Sequence, residues 1–399
     1  MHSSTTTAPY RVLIVSRERG LDSQYGLGKS IQKICSNIEK DTIIFKYVSL
    51  SDTEQYHRKW RGIFTLFCKP FGNAGDILKE ALLQGMYAAS VIRLDSSIHA
   101  VWFQDPYMIA GFQLGLIKQG KFKSPLPLFL SEHGLGSYTS AIKQDGVSVP
   151  RYIYKALIQI EQFLIKDVAN VFFPSKAALE AAGQDFSLSH TPKNWLAIPH
   201  GRNNISDLSI PTIREAKSNN AKQAMVLAVG RLAPVKNYPI LIGAIAELQS
   251  QGYPIQLIIA GAGDLAEFRV TNNTDRLHPP PILGHSEDVQ TLYSECTIYV
   301  SCCENESFGL ANLEAMSAGA ACILPNKGAA AEIGALGAIL ITMNKTNLVS
   351  AIKELLDDQN QLIHWQTKAK EASSQHPTWI ETSKQYQAAL LRGLAKQSI

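Results

Sequence analysis

The feature that most constrains this chain is an alternation of short apolar runs with longer amphipathic stretches, which appears once in each half. Such alternation is typical of parallel strands joined by crossover helices that cover both faces of a sheet. In the first half we predict strands at 12–16, 42–48, 99–103, 126–131 and 168–173. In the second half the pattern restarts, with strands predicted at 225–229, 255–260, 298–301 and 321–325.

The length supports two domains, because 399 residues exceed what one ordinary core accommodates. We predict an α/β fold of two Rossmann-like, doubly wound parallel-sheet domains, at 1–203 and 204–380, and a helix in 381–399. Pro199 and Gly201 are turn residues that mark a linker at 198–204. Ligands of such sheets bind beyond the carboxyl ends of the strands, so we expect a central cleft between the two domains.

Several protein classes are disfavoured by composition. No run approaches the roughly 18 apolar residues of a membrane-spanning helix, and the Ser/Thr-rich first ten residues lack the apolar core of a secretion signal. The six cysteines show no metal-ligand spacing, which predicts free thiols in a reducing compartment. These observations predict a soluble, cytoplasmic protein.

The net charge of +4 is unevenly distributed. Residues 1–200 hold 22 Lys and Arg against 16 Asp and Glu, a balance of +6, and residues 201–399 hold 16 against 18, a balance of −2. The basic residues are scattered and no nucleic-acid-binding module is present, so a nucleic-acid partner is not expected. The bias indicates either an ordinary solvated surface or contact with an anionic acceptor or membrane.

A basic and aromatic cluster stands out in the first half. His57, Arg58, Lys59, Trp60 and Arg61 precede an apolar stretch at 63–67. One interpretation is peripheral contact with an anionic membrane face. The other is a helix that packs its apolar side on the core and leaves its basic residues in solvent.

The densest chemical signal is a pair of carboxylates, Glu306 and Glu314, that follows a predicted strand. Residues 310–318 are predicted to form a helix that stops at Gly319. Free backbone N–H groups at Phe308–Leu310 would then face a phosphate at the positive end of the helix dipole. A helix cap and a surface glutamate are the alternative interpretation of this spacing.

A second signal consists of two cations after the strand at 225–229. Gly230 permits close backbone approach, and Arg231 and Lys236 would project beyond the strand end towards a diphosphate. Solvated surface cations are the alternative. The glycines at 261–263 do not complete a dinucleotide fingerprint, and Ser23 stands where a P-loop at 26–30 needs its first glycine, so both motifs are rejected.

Taken together, the ordered motifs of residues 225–342 resemble the retaining nucleotide-sugar glycosyltransferases of family four, or group one, which have the GT-B fold. The resemblance covers the rest of the chain more weakly, through a glycine loop at 25–29, a stretch at 104–107, and a histidine segment at 132–134. The motifs that carry it are Gly230-Arg231-Leu232, Lys236-Asn237, Gly261-Ala262-Gly263, Leu283-Gly284, the Glu306/Glu314 pair, Gly319, Gly328 and Glu332.

The resemblance implies a role for each matching residue. Arg231 and Lys236 would stabilise the donor diphosphate as a leaving group, Glu314 would hold the donor ribose, and Glu306 would contact the transferred sugar. His133 would lie near the reacting carbon. Donor-binding residues implied by the resemblance, or expected beside it, are Gly26, Gly230, Leu283, Ser307, Phe308, Gly309 and Leu310; the acceptor residues expected are Asp105 and Tyr107.

What the resemblance implies for the whole chain is a hexosyltransferase of cell-envelope or exopolysaccharide biosynthesis. The donor would be a UDP-, GDP- or ADP-sugar, the acceptor a glycan or lipid-linked molecule, and no further cofactor is expected. No Asp-x-Asp motif occurs, so a metal-independent reaction is predicted. A sugar-nucleotide epimerase or hydrolase, and a two-lobed binding protein without catalysis, are the alternatives.

Overall fold

A computed structural model describes residues 8–17, 26–54, 58–203, 223–278, 281–284 and 289–396, with the backbone alone at 26, 27, 54, 58, 59 and 283. It divides the chain into two compact units. The first unit comprises Met1–His200 and Trp379–Ile399, and the second comprises Gly201–Thr378. The division of roles between an acceptor side and a donor side, expected at 203/204 and 380/381, stays a prediction.

The first unit contains a parallel sheet in the order β2-β1-β3-β4-β5-β6. Its strands are β1 (Tyr10–Val15), β2 (Ile43–Val48), β3 (Ala100–Phe103), β4 (Leu128–Ser131), β5 (Asn170–Phe173) and β6 (Trp195–Ala197). The helices that precede the second unit are α1 (Gly26–Ser36), α2 (Leu50–Glu54), α3 (Arg58–Cys68), α4 (Asn73–Leu94), α5 (Pro106–Lys118), α6 (Tyr138–Gln144), α7 (Arg151–Leu164) and α8 (Lys176–Asp185).

The second unit contains a parallel sheet in the order β12-β11-β10-β7-β8-β9. Its strands are β7 (Ala224–Val229), β8 (Ile255–Ala260), β9 (Ile282–Gly284), β10 (Ile298–Val300), β11 (Ala321–Pro325) and β12 (Ala338–Ile341). Its helices are α9 (Tyr238–Ser250), α10 (Leu265–Asn272), α11 (Val289–Glu295), α12 (Leu310–Ala318), α13 (Gly328–Gly334), α14 (Lys345–Asp357) and α15 (Gln359–Ser374).

Both faces of the second sheet are covered, as the near-continuous apolar strands predict. Along β7, Val226 and Ala228 pack into one apolar cluster and Leu227 packs into the other. The strand order reverses once, so that β7 and β10 are neighbours although two strands separate them in the chain. This is the doubly wound arrangement, in which ligands bind at the reversal. The predicted fold class is confirmed.

The last helix, α16 (Trp379–Ala395), packs in the first unit. The Tyr386 ring lies 5.5 Å from the Trp102 ring and 4.9 Å from the Phe172 ring. At the boundary between the units, the Arg202 amide donates to the Pro377 carbonyl at 2.8 Å. The chain therefore leaves the first unit and returns to it at adjacent places.

Packing of α16 on the sheet leaves no room for a side chain at Gly393. A Cβ atom there would lie 2.6 Å from ring carbons of Phe129, a fully buried residue of β4. We expect Gly393→Ala to destabilise the protein by about 1–3 kcal/mol through overpacking. The midpoint of urea unfolding measures the change.

Gly183→Ala is the matched control, because Gly183 also lies inside a helix, and nothing lies within 4 Å of its Cβ position. This change should be neutral or stabilise by about 0.4–1 kcal/mol. Equal midpoints for the two variants would contradict the described packing.

Candidate functional site

The strand order of the second unit places two polar loops side by side. Gly230 and Arg231 follow β7, and the loop that contains Glu306 follows β10, the neighbouring strand. Parallel strands present their carboxyl ends at one edge of the sheet, so both loops lie at the point where the order reverses. This is the place where an open α/β sheet binds ligands.

The loop after β7 is fixed by close backbone contacts. A Cβ at Gly261 would lie 1.8 Å from the Gly230 carbonyl oxygen, so only glycine fits there. The Tyr238 hydroxyl donates to the same carbonyl at 2.9 Å. The Lys236 side chain passes next to Gly230. A Cβ atom added at Gly230 would lie 2.9 Å from the Lys236 Cε. The lysine side chain therefore lies against the backbone at Gly230.

Lys236 and Glu306 form an ion pair across 70 residues of sequence. The Lys236 Nζ donates to the Glu306 Oε2 at 2.9 Å, and the two side chains are 22% and 18% exposed. Burial by itself would lower the pKa of Lys236, but the Glu306 carboxylate raises it overall. The lysine is thus held as a cation in a partly dry setting, where charge interactions are stronger than in water.

Helix α12 begins directly beyond this pair. Gly309 is its N-cap residue, with φ of 90°, and no side chain caps the helix there. A Cβ at Gly309 would lie 3.1 Å from the Glu306 Cγ. The first turn of a helix carries backbone N–H groups without intrahelical partners, and here that turn starts beside Glu306. The predicted helix, 310–318, agrees with the observed one.

The remaining donor-side residues occupy three kinds of setting. Arg231 is exposed, and Ser307, Leu310 and Glu314 are half-buried. Phe308 is 3% exposed and packs in the core, so it could offer only its backbone. Glu314 lies inside α12 beside the hydroxyl of Tyr293, whose pKa is raised by burial and then by this carboxylate.

The predicted donor-binding residues Leu283 and Gly26 are described by their backbone alone. Leu283 lies in β9, two strands away from β7, and its side chain is outside the described residues, as is His285. Gly26 is the first residue of α1, and the preceding Tyr25 lies outside the described residues. Their donor-binding roles stay predictions.

In the first unit, His133 follows β4. Its Nε2 lies 2.9 Å from the Gln104 Oε1, and because an amide oxygen only accepts, Nε2 carries the proton. Burial, and secondly the neighbouring His200, lower the pKa of His133 to about 3. The imidazole is therefore neutral at neutral pH, with Nδ1 as a hydrogen-bond acceptor.

Asp105 and Tyr107, the predicted acceptor residues, are both buried and held by internal contacts. Asp105 is 1% exposed, pairs with Arg17 and caps α5 by accepting from the Tyr107 amide at 2.8 Å. The Tyr107 hydroxyl is buried and bonds to the Thr139 hydroxyl at 2.6 Å and the Leu157 carbonyl at 3.2 Å. Their expected contact with an acceptor stays a prediction.

Some buried groups had no recognisable signal in the sequence. Glu161 accepts from the amides of Tyr138 and Thr139 at 2.6 and 2.9 Å, and burial raises its pKa to about 7. Cys303 lies beside the Lys236–Glu306 pair, and burial followed by Glu306 raises its pKa to about 12, so it remains a thiol. Glu161 lies 22 and 23 positions from its two partners, and Cys303 lies 67 positions from Lys236, so spacing alone cannot indicate these contacts.

Among the described residues, no group of three or more His, Cys, Asp or Glu side chains is arranged to hold a metal ion. None of the helices described is long and apolar enough to cross a membrane. All six cysteines are free thiols.

The chain has the GT-B fold of two parallel-sheet α/β domains, and solved glycosyltransferase structures with that fold are similar to it. Sucrose-phosphate synthase from Thermosynechococcus elongatus has a TM-score of 0.73 at 16% identity, covering 97% of this chain and 99% of that one. The catalytic domain of starch synthase IV from Arabidopsis thaliana, bound to ADP and acarbose, has a TM-score of 0.68 at 13% identity, covering 98% and 100%. Both likenesses concern the fold.

The family match lies in the second unit. Residues 209–372 match the family described as glycosyl transferases group 1. The sequence resemblance is thereby confirmed.

Curated relatives agree with the family. A GDP-mannose:cellobiosyl-diphosphopolyprenol alpha-mannosyltransferase of Komagataeibacter xylinus is 32% identical over 152 residues, and an uncharacterized glycosyltransferase of Methanocaldococcus jannaschii is 26% identical over 190 residues. These matches cover 36% and 45% of this chain, and the chain spans 38% and 48% of the length of the two relatives.

The geometry of His133 generates a direct test. With its pKa lowered to about 3, its imidazole should show no protonation step between pH 5.5 and 8, unlike an exposed histidine with a pKa of about 6.5. NMR of protein labelled in its histidine rings measures this, with His133→Ala to assign the resonance. A midpoint near the ordinary histidine value would contradict the described burial.

Proposed function

We propose that this chain is a glycosyltransferase that moves a hexosyl-type sugar from a nucleoside diphosphate sugar to a glycan, a lipid-linked molecule or a related acceptor. The single observation that carries the proposal is the Lys236–Glu306 pair beside the open start of α12, at the order reversal of a group 1 domain. Cations and a helix N-terminus without a side-chain cap, at one edge of the sheet, suit a diphosphate.

Transfer generates negative charge on the departing diphosphate and positive charge on the anomeric carbon. We assign stabilisation of the negative charge on the diphosphate to Lys236, Arg231 and the first turn of α12. An ammonium has three N–H donors, and Glu306 takes one of Lys236's, so phosphate oxygens can take others without breaking the pair. Groups fixed in place before the reaction stabilise developing charge at little reorganisation cost.

The carboxylates suit the neutral parts of the donor, since carboxylate oxygens accept from hydroxyl groups. We assign Glu306 to a hydroxyl of the transferred sugar and Glu314 to the ribose. His133, neutral at its lowered pKa, would serve as a hydrogen-bonding group and not as a cation. Gly230, Ser307, Phe308, Gly309 and Leu310 would contribute backbone, with Gly26 and Leu283 as further donor contacts.

Retention of stereochemistry, with the leaving phosphate as base, is the mechanism we propose. We propose further that no metal is needed, because Lys236 and Arg231 supply the positive charge that a metal would otherwise give. Six free thiols suit a reducing cytoplasm, where we place the enzyme. Cell-envelope or exopolysaccharide synthesis is the proposed context.

The first test is transfer itself. Incubation with labelled GDP-mannose, UDP-glucose and ADP-glucose, with and without a polyprenol-linked oligosaccharide, should release nucleotide from one donor only when an acceptor is present. The mannosyltransferase relative is named for GDP-mannose and a cellobiosyl-diphosphopolyprenol, which makes that pair the first choice. Release without acceptor would indicate a hydrolase, and binding without release a receptor.

Arg231→Ala and Glu306→Ala should each lower the transfer rate at least about tenfold, equivalent to about 1.4 kcal/mol of transition-state stabilisation. The matched control is the surface pair of Lys345 and Glu247, at 2.7 Å, in the same unit. Lys345→Ala and Glu247→Ala should leave the rate unchanged. A normal rate for purified, folded Arg231→Ala or Glu306→Ala would refute its assigned role.

Binding of a nucleoside diphosphate, without the sugar to be transferred, distinguishes the roles of Lys236 and Glu306. Lys236→Ala should weaken it about tenfold or more, because a charge-assisted contact is lost. Glu306→Gln should leave it unchanged or strengthen it, since a nucleoside diphosphate lacks the transferred sugar that Glu306 would hold. Isothermal titration calorimetry measures both, and equal weakening would contradict the division of roles.

A further inference from the structure

Helix α3 carries apolar side chains on its outer face. Ile63, Leu66 and Phe67 are 53%, 75% and 67% exposed, at a spacing that places them on one side of the helix. Phe64 and Cys68, on the opposite side, are 5% and 3% exposed and form the contact with the core. Packing on the core therefore accounts for only one side of this helix, and the second apolar side is uncovered in the described structure.

The end of α5 adds a second apolar element. Leu114 and Ile117 are 43% and 50% exposed, and Phe122, just beyond the helix, is 86% exposed. The two elements meet where the Lys118 ammonium lies 5.2 Å from the centre of the Trp60 ring of α3. We call this combined surface the basic–apolar face.

Cations surround these apolar side chains. Residues 58–75 contain four Lys and Arg and no Asp or Glu, and residues 106–131 contain three and none. These seven charges exceed the whole +6 balance of residues 1–200. The exposed cations of the face are Arg61, Lys69, Lys118, Lys121 and Lys123.

We propose that the basic–apolar face docks this protein on an anionic lipid bilayer. Lysine and arginine side chains pair with anionic headgroups while the apolar side chains between them enter the boundary with the acyl chains. A second copy of this chain would fit poorly, because a two-fold interface would bring this cation-rich face against itself. Nucleic acid offers nothing to cover Ile63 and Leu66.

This inference goes beyond the proposed transfer reaction and does not depend on it. Helix α5 starts at the carboxyl end of β3 and reaches the face 13 residues later, a length of about 20 Å. The face thus lies one helix length from the edge of the first sheet. Docking through it would hold the enzyme at the surface on which a lipid-linked acceptor resides.

The test is co-sedimentation of the full chain with vesicles of phosphatidylglycerol and phosphatidylcholine, compared with phosphatidylcholine alone. We expect binding to the anionic vesicles only. This binding should fall steeply between about 50 and about 500 mM salt, because salt screens the attraction between exposed charges. The double variant Leu66→Asp/Phe67→Asp should bind at least about tenfold more weakly, and so should Lys121→Glu/Lys123→Glu.

Matched changes in the second unit should leave vesicle binding intact. Leu336→Asp replaces a leucine that is 66% exposed, and Arg269→Glu reverses an exposed cation. Thermal unfolding checks that each variant is folded, and nucleoside diphosphate binding checks the donor site separately. A variant that no longer binds vesicles but still binds the nucleoside diphosphate therefore separates this inference from the proposed reaction.

Three results would overturn the inference. The first is absence of sedimentation with anionic vesicles. The second is equal loss of binding in the face variants and the matched controls. The third is a dimer in solution that Leu66→Asp/Phe67→Asp converts to a monomer without any effect on vesicles, which would make the face an interface between copies.

Discussion

The candidate site depends on one constraint of chain topology, the single reversal of strand order in the second sheet. The reversal makes β7 and β10 neighbours and so brings Lys236 within 2.9 Å of Glu306. Two other donor-side features lie beside that pair: Gly230, which the lysine side chain contacts, and the helix that starts beside the glutamate. The same sheet in sequential order would separate the two loops by two strands.

The ion pair with Glu306 keeps Lys236 positively charged at this edge of the sheet. A lysine that is 22% exposed would lose its proton more readily without a partner, and Glu306 reverses that tendency. The first unit shows the contrasting case, since His133 is buried without an anion close enough to compensate and is neutral. The two units thus offer cations in one and an uncharged acceptor of hydrogen bonds in the other.

Much of the fold could be predicted because buried parallel strands are continuous apolar runs of recognisable length. The strand at 255–260 and the helix at 310–318 agree with the structure to the residue. Short strands such as β6 and β9, of three residues each, were missed, since so few residues show no period. Strand order has no local signal, and neither has the burial that makes Asp105 a helix cap and Tyr107 a core residue.

The second unit interrupts the first, and this affects how the protein can form during synthesis. Residues 1–200 leave the ribosome before the helix that completes their own core, because α16 packs on Trp102 and Phe172 only after another 178 residues, Gly201–Thr378, have been made. Until then, those aromatic rings lack their final cover. The second unit has no such delay: its two ends are joined by the Arg202–Pro377 hydrogen bond, so it can close as one continuous segment while the first unit waits for the last turns of the chain.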